Sequence, residues 1–184
     1  MDEIMYPVRF DENDFLKYHK APMYGRICDY SMSRGYGFIF AENGKELFFS
    51  SYNVLSKEKH LFFGSTVRFT VAKRENYYEA KDVEIIDNSQ KQDIFLTPKG
   101  ETIKVKKIRK IGLISGYTCL KKLNLTLEEI EKKGYQISDF EYLFIETHKG
   151  NYRFFNEAAP VIGDGQMDVK KTYQELREKY ILLY

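Results

Sequence analysis

The architecture of this chain turns on Arg34-Gly35-Tyr36-Gly37-Phe38-Ile39. Side chains alternate across a β-strand, so Gly35, Gly37 and Ile39 share one face and Tyr36, Phe38 and Phe40 the other. The glycine face carries no β-carbon to resist tight curvature and suits the inside of a narrow barrel. The rings then point outward, with Arg34 beside them. A row of exposed rings edged by a cation is the pattern of a platform on which flat, π-faced groups such as nucleobases stack.

Reading outward from this strand, Asn43-Gly44 is a strong hairpin signal and leads into Glu46-Leu47-Phe48-Phe49-Ser50. The same parity puts Leu47 and Phe49 inside and sets Phe48 beside Tyr36 and Phe38. Residues 27–30 form the preceding strand, from which Tyr30 extends the row on its other side, and Arg34 and Lys45 edge the platform. Downstream, residues 64–72 alternate Val67, Phe69 and Val71 inward with Arg68 and Thr70 outward. Arg74-Glu75-Asn76 turns the chain and residues 77–86 supply a last strand. Five short strands between 24 and 86, with a longer connection after the third, predict an all-β unit, a small closed barrel.

Residues 24–86 resemble a cold-shock domain, the OB-fold module of bacterial cold-shock proteins and eukaryotic Y-box proteins. Arg34-Gly35-Tyr36-Gly37-Phe38-Ile39 is similar to the first ribonucleoprotein motif of that family, Lys-Gly-Phe-Gly-Phe-Ile. Glu46-Leu47-Phe48-Phe49-Ser50 stands where the second, Val-Phe-Val-His-Phe, belongs. The resemblance implies a site for single-stranded RNA or DNA, with Tyr30, Tyr36, Phe38 and Phe48 at matching binding positions and Arg34 as the matching cation; beside these, strand alternation adds the Phe40 ring. The chain also departs from the pattern. Asp29-Tyr30 replaces Trp-Phe on the first strand, Cys28 replaces a lysine, and Ser50-Ser51 replaces the His and second Phe of the second motif. Fewer rings and one cation less imply sequence-tolerant, salt-sensitive binding of weak to moderate strength.

On either side the composition changes. Residues 1–23 are read as an arm with one short helix near 11–19. The wholly polar residues 87–93 are read as a linker between domains. Residues 94–184 mix helix and strand and predict a small α+β domain of unspecified type. In it, Thr126 and Glu129 are spaced as a capping box, Gly134 is placed to end that helix, and His148-Lys149-Gly150 joins two strands. Asp168 caps a final helix with Val169, Tyr173, Leu176 and Tyr180 on one face. Ile103 and Val105 share a face while Ile108 breaks parity, which predicts a bulge or turn at Lys106-Lys107. Lys104, Lys106, Lys107, Arg109 and Lys110 are a candidate second basic patch for phosphate, against the alternative of a solvated strand face.

Composition narrows the function classes. The chain has 184 residues, 15 Tyr and 14 Phe without Trp, and a net charge of +2. Residues 87–184 carry seventeen Lys and Arg against fourteen Asp and Glu, so no region provides a strongly basic field and binding would rest on local contacts. Two distant cysteines, Cys28 and Cys119, and no Cys/His cluster argue against a structural metal. The acidic start Met1-Asp2-Glu3-Ile4 does not read as a signal peptide, and no apolar run is long enough to span a bilayer. A cytoplasmic protein without cofactor is expected. His19, His60 and His148 stand apart from any nucleophile motif, so no enzyme is predicted. The expected function is non-catalytic single-stranded nucleic-acid binding, regulatory or chaperone-like. The alternative is a degenerate cold-shock barrel serving as a protein-interaction module.

Overall fold

The structure, a computed structural model, describes residues 8–55 and 60–183. The acidic start 1–4 and most of the polar stretch 56–60 lie outside the described residues. The chain builds β1 (Met23–Ser31), β2 (Tyr36–Ala41), β3 (Glu46–Ser50), β4 (Thr66–Lys73) and β5 (Tyr78–Asp87) into a closed five-stranded barrel. Antiparallel β1–β2–β3 continue through a short parallel pairing of β3 with β5 (Phe48 with Glu79, Phe49 with Ala80). β5 pairs with β4, and β4 returns to β1 over Met23–Arg26, closing the barrel. Ile27, Ile39, Leu47, Phe49, Val67 and Phe69 fill the interior at 0–1% exposure.

The predicted alternation on β2 and β3 holds: Gly37, Ile39, Leu47 and Phe49 are buried while Tyr36, Phe38 and Phe48 are not. The reason for glycine at 37 is geometric. A β-carbon there would stand 2.2 Å from the Asp29 carbonyl oxygen and 3.0 Å from the Phe49 ring, so β1 and β2 approach closely only because it is missing.

Before the barrel, α1 (Glu12–Tyr18) begins with a capping box in which Asp11 accepts from the Asp14 N–H at 3.0 Å and Asp14 accepts from the Asp11 N–H at 2.9 Å. Phe10 is buried in the barrel core and Phe15 and Tyr18 pack against it. Residues 8–10 run beside the start of β3: Phe10 N–H donates to the Glu46 carbonyl at 3.0 Å and Glu46 N–H to the Val8 carbonyl at 2.8 Å.

After the barrel comes an α+β region, with a two-stranded pair, β6 (Ile94–Leu96) and β7 (Thr102–Lys104), then β8 (Ile108–Ser115), α2 (Gly116–Lys122), α3 (Leu127–Lys132), β9 (Glu141–Thr147), β10 (Gly150–Phe155) and α4 (Val169–Tyr180). α4 covers one side of the β8–β9–β10 meander through Val169, Leu176 and Tyr180 against Leu143, Ile145 and Phe154. α2 and α3 cover the other through Cys119, Leu120 and Ile130 against Tyr142 and Phe155. The α3 capping box between Thr126 and Glu129, the Asp168 cap and the turn at Val105–Lys107 form as predicted. Residues 88–93 are tied to both sides. Asn88 donates to the His60 carbonyl at 2.8 Å, Gln90 to the Phe63 carbonyl at 3.1 Å, and the Tyr180 hydroxyl to Asp93 at 3.0 Å. Among the described residues, no helix is long and apolar enough to cross a membrane.

The meander joins the barrel's own sheet. Where β4 leaves β1, β8 takes the vacated edge, pairing Lys110 with Asp29. The strand order β9–β8–β1–β2–β3 thus carries one surface from the α+β region onto the barrel's aromatic face.

Candidate nucleic-acid interface

Phe38 and Phe48 are direct cross-strand partners, and Phe48 is the hub of the outer face. Its ring centroid lies 5.7 Å from that of Tyr36, 5.9 Å from Phe38 in an edge-on contact, and 5.7 Å from Tyr77, also edge-on. Such offset and edge contacts suit the ring quadrupoles and hold the group together without sealing it. Tyr36 is 36% exposed and Tyr77 is 49% exposed. A groove of about 410 Å³ runs along the cluster, lined among others by Arg9, Phe38, Glu46, Phe48 and Tyr77. That volume falls in the range of roughly 300–1,000 Å³ typical of small-ligand sites.

Cations border the rings. The Arg34 guanidinium lies over Tyr36, 4.6 Å from its centroid, and Arg9 lies over Phe38 at 5.2 Å. Asp29, outside the barrel, accepts a hydrogen bond from Arg34 Nη2 at 2.6 Å. Arg109 Nε stands 4.0 Å from the same Asp29 oxygen, and its Nη2 is 3.2 Å from Glu146. Glu46, on the outside of β3, is removed from water enough that burial pushes its carboxyl from the ordinary 4.5 up to about 6; Asp29 adds to this, while Arg9 and Lys110 oppose it. Cys28 lies beside it, its thiol donating to the Glu46 carboxylate at 3.9 Å, and burial together with Glu46 and Asp29 raises the thiol well above its ordinary range.

The predicted site residues separate into those the fold assembles and those it does not. Tyr36, Phe38, Phe48 and Arg34 come together as the spacing requires. Tyr30 does not join them. Its ring lies inside the barrel at 8% exposure, packed on Phe49 with centroids 5.7 Å apart. The cause is a bulge in β1 between Ile27 and Asp29, which inserts Cys28 and reverses the parity of the rest of the strand. Phe40 keeps the outward direction but is covered by the α+β region. It packs into that region's core, with Arg177 of α4 placed 5.9 Å from its centroid. Lys45 turns to the arm, 3.7 Å from Asp14, and does not edge the rings.

The five residues of the candidate basic patch fall on three successive elements. Lys104 sits on β7 and Lys106 and Lys107 in the turn after it, whereas Arg109 and Lys110 lie on β8 next to the barrel. A second bulge, between Ile108 and Lys110, brings both Arg109 and Lys110 to Glu146, at 3.2 and 3.9 Å. Two contributors escape the sequence reading. Arg9 belongs to the arm, and nothing local links it to Phe38. Tyr77 reads as the first residue of a strand, and its outward parity opposite the barrel-facing Tyr78 was the available signal.

No protein-family model matches the sequence, and no curated protein matches it. Among solved structures, the chain is similar to cold-shock domains 4–6 of Drosophila Unr, with 18% sequence identity, 84% of this chain covered and a TM-score of 0.33. The chain spans 57% of that structure's length. The OB-like assignment rests on the barrel's own closure and strand order.

Proposed function

We propose that this chain binds single-stranded nucleic acid, with bases stacking on Tyr36, Phe48 and Tyr77 and with Phe38 forming the floor between them. The observation that carries the proposal is the open cluster of rings around Phe48, beside a groove and under two arginines. Every base has a π-face, so such a platform tolerates sequence, and each stacked base contributes roughly 1–3 kcal/mol. The role is non-catalytic, keeping strands unpaired or marking them. Asp29 and Glu46 lie among the cations, so affinity is modest and dominated by stacking.

The test is a titration of the full chain with a fluorescent oligonucleotide of about ten nucleotides at two salt concentrations. The expected result is binding that weakens with salt and is lost in the double variant Tyr36→Ala, Phe48→Ala with circular dichroism unchanged. Undiminished binding by that variant, or none by the parent chain, refutes the proposal. Self-association lost on the same substitutions would assign the face to protein docking instead.

A further inference from the structure

We propose that Arg34 of the barrel and Arg109 of the α+β region together form a phosphate subsite, for which Asp29 is a built-in competitor. This rests on the nucleic-acid reading of the aromatic face and adds to it a named anion site to which the second region contributes.

Arg34 reaches Asp29 from the β1–β2 connection and Arg109 reaches it from β8, so two guanidinium groups converge on one carboxylate from opposite sides of β1. Guanidinium groups recognise carboxylate and phosphate oxygens with the same planar fork. The clamp is only partly occupied. Arg34 makes a single close contact at 2.6 Å, and Arg109 Nε stops at 4.0 Å from Asp29, outside hydrogen-bond range, while the Arg109 Nη2 is held by Glu146 at 3.2 Å. The Nε atoms of Arg34 and Arg109 are both buried and without a hydrogen-bond partner. Buried donors of this kind are normally satisfied, and an oxyanion with several acceptor oxygens satisfies more of them than one shared carboxylate oxygen.

The position also fits. Asp29 is the cross-strand partner of Phe38, and Arg34 lies over Tyr36, so the clamp stands at the margin of the stacking rings. A backbone phosphate belongs beside the bases it connects. The two bulges next to the clamp explain how it is made: one turns Asp29 outward on β1, and the other lets Arg109 lean toward it from β8.

The experiment measures oligonucleotide affinity of the full chain against salt for the parent, Arg109→Ala and Asp29→Asn, with folding checked by circular dichroism. Arg109→Ala is expected to weaken binding roughly tenfold and to flatten the slope of log affinity on log salt by about 0.7, the loss of one phosphate contact on a single strand. Asp29→Asn is expected to tighten binding and steepen that slope. A purely structural role for Arg109 would lower stability without moving the salt slope. If the parent binds and Tyr36→Ala, Phe48→Ala abolishes binding, an unchanged slope in Arg109→Ala overturns the subsite and leaves the stacking reading intact. Absence of binding by the parent overturns both. Should Asp29→Asn fail to fold, Arg109→Ala alone decides the matter.

Discussion

Replacing Glu46 by glutamine should stabilise the protein, and only at neutral or alkaline pH. The carboxyl has an ordinary value of 4.5 and is held at about 6 in the fold, chiefly by burial against the outer wall of the barrel. A raised carboxyl pKa means that the folded state prefers the protonated form. The group therefore stabilises fully below pH 4.5, and that contribution is lost as pH rises through about 6. Each pKa unit corresponds to about 1.4 kcal/mol, so the gap between 4.5 and about 6 sets a ceiling of roughly 2 kcal/mol. Glu46 keeps part of its surface in water, and solvent screening lowers the expectation to about 1 kcal/mol. Glutamine mimics the protonated carboxyl, still accepting from the Cys28 thiol, but never ionises. Urea unfolding at pH 8 should show Glu46→Gln more stable by about that amount, with the difference nearly gone at about pH 3.5, below the ordinary value. Equal stability at pH 8, or a gap of the same size at both pH values, would show that burial does not hold the carboxyl protonated. The same substitution removes a negative charge from the groove and should also tighten oligonucleotide binding at pH 8.

The geometry sets three more outcomes. Tyr30→Ala should cost about 3–5 kcal/mol in urea unfolding, like other large core truncations, whereas Tyr36→Ala should cost under about 1 kcal/mol and abolish most of the binding. Equal stability losses would mean that Tyr30 is not the inward ring. Gly37→Ala should destabilise by about 3 kcal/mol or more, above the usual overpacking range, because the new carbon meets backbone at 2.2 Å; a lowered thermal midpoint checks it. Both cysteines should resist a disulfide reagent at pH 8 until the protein unfolds. Burial and the neighbouring Glu141 push the Cys119 thiol up to about 12, and Cys28 is raised by burial, Glu46 and Asp29. Thiol release as fast as from denatured chain would contradict this.

Much of the barrel was legible because its signals are local. Strict alternation places Gly37, Ile39, Leu47 and Phe49 inside, Asn43-Gly44 fixes the hairpin, and the caps at Thr126 and Asp168 start their helices where the spacing puts them. Tyr30 shows where local reading stops. With Ile27 inside, simple alternation also turns Asp29 into an apolar core, which burial of a charge forbids unless it is paired. That conflict was the sign of a bulge. One inserted residue resolves it, sending Asp29 out to Arg34 and Tyr30 in to Phe49. Phe40 and Lys45 point as alternation and turn geometry require, but their neighbours, Arg177 and Asp14, come from distant or separate elements. β6 and α2 are short, and neither has a full hydrophobic period to announce it. α2 opens at Gly116 with φ 62°, straight off the apolar run of β8.

The bulge at Cys28 also accounts for why the two regions share a surface. β1 lends one edge to β4 over Met23–Arg26, and at Ile27 the exchange passes to the loop before β4, where Ile27 N–H donates to the Ser65 carbonyl at 3.0 Å and Gly64 N–H to the Ile27 carbonyl at 2.7 Å. Beyond that point β1 would present bare backbone groups, which a protein interior or strand edge cannot leave unsatisfied cheaply. β8 meets them at Asp29. An uninterrupted β1 would bury Asp29 and leave β8 facing a strand with the wrong side outward. With the extra residue, the last third of β1 turns toward β8, its carboxylate sits between the arginines of two regions, and the margin of the aromatic face acquires one cation, Arg109, that the barrel alone does not supply. Deleting Cys28 should therefore damage barrel core, inter-region pairing and charge arrangement together, whereas Cys28→Ser, which keeps the residue count, should preserve all three.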